Sequence, residues 1–363
     1  MKAALKLPTA VLLALLAVSC NTPGPDPDLV IGKVPPKGPT TPTPPAEGPP
    51  WDFEGEVYVA GGGFSSERDI AKVWVDGVEQ ALADVNTDLY ATSILVAGED
   101  VYLAGYEFNW DVYNGWSPYP TRAVLWKNGA PQPLTDGHHG ASASSVVVSD
   151  NDVYVAGFES NGIKNVATVW KNGVAQPLGD GTIDSYATAV FVTMDDVYIT
   201  GYESFGAPSY TMRAILWKNG LPQQLTAGYT ANSVFVSGSD VYVAGSGYTH
   251  AMIWRNGEAQ HFETTSQAAA LSIYVTGKDV YVGGFEYLDE GENSYGPAKA
   301  MIWKNGIPQP LTTGTENAGV NSIAVVGDDV YAVGYKGDKA TIWKNGTDRV
   351  LGTGEAKSVF IRE

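Results

Sequence analysis

Residues 233–257 read SVFVSGSDVYVAGSGYTHAMIWRNG. Three short runs, SVFV, DVYVAG and AMIW, are rich in β-branched and aromatic residues and are bounded by Gly, Ser or Asn, which is how strands are written. Asn256-Gly257 offers the positive φ values of a type I′ hairpin, and Ser237-Gly238-Ser239 a second tight turn. A brief fourth strand after each Asn-Gly is typified by Gln132-Pro133-Leu134. The stretch therefore predicts a four-stranded antiparallel meander, with strands A (SVFV), B (DVYVAG), C (the Trp strand) and D.

Outward from this unit the same order recurs seven times. The B run starts at Glu56, Asp100, Asp152, Asp196, Asp240, Asp279 and Asp329. The C strand carries Trp74, Trp126, Trp170, Trp217, Trp254, Trp303 and Trp343; six continue as Lys/Arg-Asn-Gly, and the first reads WVDG. The A run starts at Ser93, Ser145, Ala189, Ser233, Ser272, Ser322 and Ser358. A period of a few tens of residues with four strands per unit predicts an all-β, seven-bladed β-propeller over residues 51–363. The repeats open in mid-unit at Glu56 and end on a spare A run, so Ser358–Ile361 is expected beside Glu56–Gly61, closing the ring and removing an exposed edge. The Trp reads as filler between blades, and the leading Asp of each B run as the cap of its turn.

The 363 residues carry a net charge of −18. Such a surface repels phosphate backbones, which argues against a nucleic-acid partner. One cysteine, Cys20, permits no internal disulfide. It follows Lys2, Lys6 and an apolar run from Ala10 to Val18, the layout of a secretory signal over residues 1–19. Residues 21–50 hold 11 prolines and little apolar content beyond Leu29-Val30-Ile31, which favours an extended polyproline tether over a folded segment.

Ala17-Val18-Ser19-Cys20 resembles the lipobox of bacterial lipoproteins. That resemblance implies cleavage before Cys20, a lipid on its sulfur and residues 20–50 as a lipid-anchored tether. Ala17 stands where Leu is usual, and Ala17-x-Ser19 also suits ordinary signal peptidase, which leaves a soluble product. Asn21 rather than Asp after the cysteine implies sorting to the outer membrane or cell surface. Residues 51–363 resemble bacterial lipoproteins with tandem WKNG-type, kelch-like repeats, although the kelch double glycine occurs only at Gly61-Gly62 and Gly283-Gly284. The resemblance implies a fold and a location, and no activity.

In an antiparallel meander the A–B and C–D turns share one end of the blade and the B–C and D–A loops share the other. The first set is short and uniform; the second varies, as binding loops on a rigid scaffold do. Blade 2 carries YEFNWDVYNGWSPYPT from Tyr106 to Thr121, with Phe108, Trp110, Tyr113, Trp116 and Tyr119 as candidate ligand contacts. Blade 6 carries FEYLDEGENSYGPAK from Phe285 to Lys299, with Tyr287, Tyr295 and the acids Asp289, Glu290 and Glu292, a weak Ca²⁺ candidate. No other cofactor is expected.

Glu107, Glu159, Glu203 and Glu286 follow an aromatic residue at equivalent positions, and each is expected to pair with Arg122, Lys164, Arg213 or Lys299 respectively. His138-His139 reads as a solvated turn. No metal-ligand spacing, phosphate loop or nucleophile elbow is present. The sequence thus predicts a monomeric, non-catalytic module whose B–C/D–A face binds a glycan, peptide or envelope protein and whose only membrane contact is the lipid. A polysaccharide hydrolase or lyase and a scaffold subunit are the alternatives.

Overall fold

Asn128, Asn172, Asn219, Asn256, Asn305 and Asn345 all sit at φ between 51° and 52°, and each is followed by a positive-φ glycine. This left-handed pair matches the twist of two adjoining strands, so each WKNG sequence folds as a tight hairpin. The computed structural model describes residues 55–64, 69–80, 88–108, 120–206, 211–289 and 295–362. Among them, twenty-eight strands form seven four-stranded antiparallel sheets. Blade 3 is representative: Ala141–Ser149, Asp152–Ser160, Asn165–Lys171 and Val174–Pro177, in that order from the axis outward.

The chain is a seven-bladed β-propeller, and its closing strand lies where the repeat count places it. Glu355–Arg362 pairs with Glu56–Phe64, with Val57 opposite Ile361 and Val59 opposite Val359. Blade 1 thus joins one strand from the end of the chain to three from its beginning.

The repeated residues have separate structural duties. Six of the seven Trp side chains are at most 1% exposed. The indole of Trp74 donates to the Leu351 carbonyl of blade 7 at 3.1 Å, and Trp303 stacks on Phe262 of blade 5 at 5.2 Å. Each Trp therefore fills the seam with the preceding blade. The glycine ending each B run faces a bulge on strand A. In blade 3 the register slips between Ala143 and Ser145, and a Cβ on Gly157 would lie 2.0 Å from the Ser142 carbonyl oxygen. Only glycine fits so close a backbone approach.

The serine opening six A runs ties neighbouring blades together. Ser358 accepts the Ile94 N–H at 3.2 Å, Ser93 that of Val146 at 3.3 Å, and Ser145 that of Val190 at 3.3 Å. Ser233, Ser272 and Ser322 repeat the contact with Ile273, Ile323 and Val359. Blade 4 has Ala189 instead, and there the adjacent Thr188 donates to the Ala231 carbonyl at 2.7 Å. Every seam thus carries a side chain-to-backbone hydrogen bond, each contributing about 0.5–1.5 kcal/mol.

Six of the seven D strands are three or four residues long and exposed, and several carry proline, as Ala130–Pro133 and Ile307–Pro310 do. Proline on an outer edge blocks pairing with another sheet. Part of strand C then lacks a partner there, and polar groups of the following chain supply one: Thr135 and Thr312 of the D–A segments accept from Ala123 and Ala300, and Ser185 at the start of the next inner strand accepts from Ala167.

Candidate functional site

The two ends of the propeller are chemically unlike. At the turn end, the Asp that opens strand B does more than cap its turn. Asp100 Oδ1 accepts from Asn128 Nδ2 at 2.7 Å, and its Oδ2 pairs with Lys127 at 2.6 Å. Lys127 also lies 5.3 Å from the Tyr102 ring centre. Asn128 Oδ1 accepts the Val101 N–H at 2.8 Å, and the Asn128 N–H bonds the Val101 carbonyl. This four-residue station, Asp-Tyr-cation-Asn, recurs in blades 3 to 7 around Asp152, Asp196, Asp240, Asp279 and Asp329. The neighbouring Lys or Arg, seconded by the Asn, holds five of these carboxyls below their ordinary value; at Asp279 the Asn305 amide contributes most and Lys304 second.

Blade 1 lacks the cation, because Val75 occupies its place opposite Tyr58. Arg362 of the closing strand fills the seat. It pairs with Glu56, lies 5.8 Å from the Tyr58 ring centre and donates to the Gly98 carbonyl of blade 2 at 3.4 Å. Burial, with a hydrogen bond to Glu56, pushes the Tyr58 hydroxyl up to about 12. The sequence signals of this exchange are the missing lysine in WVDG and the basic residue Arg362.

At the loop end the B–C connection varies, with four or five residues in blades 1, 3, 4, 5 and 6. The B–C connection is two residues in blade 7, between Lys336 and Lys339, and twelve in blade 2, between Phe108 and Thr121. Blade 6 departs from expectation: Phe285–Lys299 is mostly ladder, with Glu286 opposite Lys299 and Asp289 opposite Tyr295, and only 290–294 connect the strands. Phe285 and Tyr287 alternate with Glu286, and pairing resumes after a register shift between Tyr287 and Asp289, so the two strands lengthen instead of opening into a loop.

Of the candidate contacts, Phe108 and Tyr287 are half-buried on strands, and Tyr295 begins the strand Tyr295–Lys304. Trp110, Tyr113, Trp116, Tyr119, Glu290 and Glu292 lie outside the described residues, as do Cys20 and everything before Gly55. Asp289 is exposed, and no group of three His, Cys, Asp or Glu among the described residues is placed to hold a metal ion.

The structure sets beside Phe108, and elsewhere at this end, aromatic residues that the sequence did not single out. Tyr90 and Tyr106 stack at 4.7 Å, with Phe108 edge-on to both. In blades 3 and 4, Phe158, Tyr186 and Tyr202 form a second cluster with centres 4.9–5.0 Å apart. Burial raises Tyr186 and Tyr202 above their ordinary values. These rings form an arc over blades 2 to 4.

Blades 5 and 6 add the aromatic pairs Tyr229–Tyr248 and Phe285–Tyr287, and blades 7 and 1 add polar groups. Asn321 and Lys357 are the bulged residues of the inner strands of blades 7 and 1. Asn321 donates to Glu355 at 2.7 Å, and Lys357 pairs with Glu355 at 2.6 Å. Tyr335 beside them is raised by burial and then by the charge of Glu355. Alternate residues of paired strands share a side, so aromatics drawn from separate blades could not be read as neighbours without the register.

Three of the four expected Glu–cation pairs form: Glu107 with Arg122, Glu203 with Arg213, and Glu286 with Lys299 at 3.7 Å. Glu159 is the exception. Its cross-strand neighbour is Val166, and Lys164 lies in the turn, where Asn161 accepts its N–H. Lys164 pairs instead with Asp184 at 2.8 Å. Burial raises the Glu159 carboxyl, and the nearby Asp136 charge adds to the effect while His139 opposes it. Asp136 itself accepts the His138 N–H, so the His138-His139 segment is a turn as expected.

No protein-family model matches the chain, and no curated protein matches it. Among solved structures, the β-propeller domain of the Trilobed protease from Pyrococcus furiosus is similar at 12% identity and a TM-score of 0.46, covering 83% of this chain and 93% of that one. A Trypanosoma rangeli sialidase mutant displaying trans-sialidase activity is similar at 10% identity and a TM-score of 0.43, covering 85% of this chain. The Trypanosoma rangeli sialidase in complex with sialic acid is similar at 10% and 0.43, covering 84%. The chain spans 52% and 57% of the two sialidase chains. Blade number and ring closure here are read from this chain's own strand pairing.

Proposed function

We propose that this chain is an exported lipoprotein, anchored through Cys20 and held off the envelope by residues 20–50, whose propeller binds a glycan, peptide or envelope protein at its loop end without catalysing a reaction. The carrying observation is the contrast between ends. One is the same four-residue station in blade after blade; the other varies from two to twelve residues per connection. Variation concentrated on one face of a rigid scaffold is how recognition surfaces are built. The aromatic arc supplies flat apolar faces for sugar rings or peptide side chains, and Asn321, Glu355 and Lys357 supply polar contacts on blades 7 and 1.

The test is the melting temperature of residues 51–363 against polysaccharides, peptides and Ca²⁺ with or without chelator. A ligand at a hundredfold its Kd stabilises the folded state by about 2.7 kcal/mol. A rise with one saccharide or peptide class, lost on Trp110→Ala, Trp116→Ala or Tyr106→Ala, supports the reading. A flat response with a stoichiometric co-purifying protein favours the scaffold role.

One observation favours a second reading, a polysaccharide hydrolase or lyase. Glu159 is a carboxyl raised by burial beside a second carboxylate, Asp136, and such pairs serve as acid and base. Turnover of an envelope polysaccharide that disappears in Glu159→Gln would establish it over the binding module.

A further inference from the structure

The C–D hairpins of blades 2 to 7 place Asn directly before Gly, a dipeptide found also at Asn114-Gly115 and Asn161-Gly162, and it is a chemical weak point. The glycine nitrogen can attack the Asn Cγ; the N–Cγ bond forms, the Cγ–Nδ2 bond breaks, and ammonia leaves with the glycine N–H proton. Water then opens the cyclic imide at either carbonyl, giving aspartate or isoaspartate. Glycine has no side chain to hinder the approach. All six asparagines are exposed, so exclusion of water does not protect them.

The side-chain amide is held at both ends instead. In blade 2, Asn128 Oδ1 accepts from Val101 at 2.8 Å and Nδ2 donates to Asp100 at 2.7 Å. Blade 7 repeats this with Asn345, Val330 and Asp329 at 2.8 and 2.6 Å. The other four blades do the same with Asp152, Asp196, Asp240 and Asp279. Bringing Cγ onto the glycine nitrogen breaks both bonds.

We propose that the aspartate opening each B strand guards the Asn-Gly hairpin against deamidation, and that these asparagines are modification sites once the guard is removed. Blade 1 shows what an acid at this position requires. Asp76-Gly77 is the natural equivalent of a deamidated hairpin, and Asp76 keeps the backbone bond to Val57 at 2.9 Å. Its opposite acid, Glu56, is turned to the Tyr58 hydroxyl at 2.7 Å and to Arg362. In the other blades a new carboxylate would face the B-strand carboxylate across the former amide bond, against an Asp whose Oδ1 now accepts from the Asn amide.

The experiment is peptide mapping by mass spectrometry of the folded full chain after prolonged incubation at mildly alkaline pH, with the urea-unfolded chain as reference. In Asp100→Ala, Asn128 is expected to deamidate roughly 10- to 100-fold faster than before, the change given by losing a hydrogen bond to a charged acceptor. The other five hairpins in the same molecule serve as internal clocks. Asp100→Asn, which keeps an acceptor oxygen, is expected to restore most of the protection. Asp76→Asn places an Asn-Gly opposite Glu56, whose longer side chain is turned to Tyr58 and Arg362, and this position is expected to deamidate faster than the six C–D asparagines. The proposal is overturned if Asn128 in folded Asp100→Ala keeps pace with the other five, or if the blade 1 position in Asp76→Asn is no faster than they are. Should Asp100→Ala unfold, all six rates rise together and Asp76→Asn decides.

Discussion

Blades 2 and 7 are nearly interchangeable at the turn end and share almost nothing at the loop end. Both build the Asp-Tyr-Lys-Asn station, with Asp–Asn contacts of 2.7 and 2.6 Å. Yet one joins strands B and C with twelve residues and the other with two. The same scaffold tolerates both because strands B and C are paired along their length in either blade, out to Phe108–Thr121 and Lys336–Lys339. Turn chemistry is bound to the fold, and loop chemistry is free of it.

That separation can be broken most sharply in the shared part. Trp303→Ala empties a fully buried seam and is expected to cost about 3–5 kcal/mol, read as a drop in melting temperature. Gly157→Ala drives a Cβ into the Ser142 carbonyl and is expected to cost about 1–3 kcal/mol. Arg362→Ala removes a half-exposed ion pair worth at most about 1 kcal/mol after solvent screening, so its signature is local: faster hydrogen exchange along Glu56–Ala60. Replacing 109–120 with the Gly337-Asp338 turn is expected to change stability by no more than about 0.5 kcal/mol while abolishing ligand binding.

Titration separates the ends further. The turn-end aspartates are held below their ordinary value, so their contribution is present above the usual carboxylate range and fades as pH falls through their lowered values. Glu159 is raised, so its contribution has the opposite sense: present in acid and lost as pH rises. Glu159→Gln is therefore expected to raise the melting temperature slightly at neutral pH and to leave it unchanged in acid. A fall at neutral pH would mean that Glu159 has a cationic partner in solution.

The fold was legible because it is written seven times. Asn-Gly at six of the seven C–D hairpins, glycine opposite each bulge and Trp in each seam are demands that only certain residues meet, and repetition makes them visible. The candidate site was legible only in outline. Parity along the meander separates the two ends, but Tyr90 meets Tyr106 through cross-strand pairing, and Phe158 meets Tyr186 across neighbouring blades. Local spacing carries neither contact. Lys164 shows the same limit: it is near Glu159 in sequence, yet a four-residue turn carries it past the matching register to Asp184.

The ring closure also governs how the molecule bears force. The chain enters the propeller at Glu56, on a strand flanked by Glu355–Arg362 on one side and Asp69–Val75 on the other. Tension drawn through the preceding segment, against a load gripped at the loop end, pulls along that strand. Both ladders are then loaded in shear, with their hydrogen bonds strained together instead of opened one after another. A chain that began on an outer D strand would peel from a single edge. Starting in mid-blade gives the first strand two neighbours to hold it.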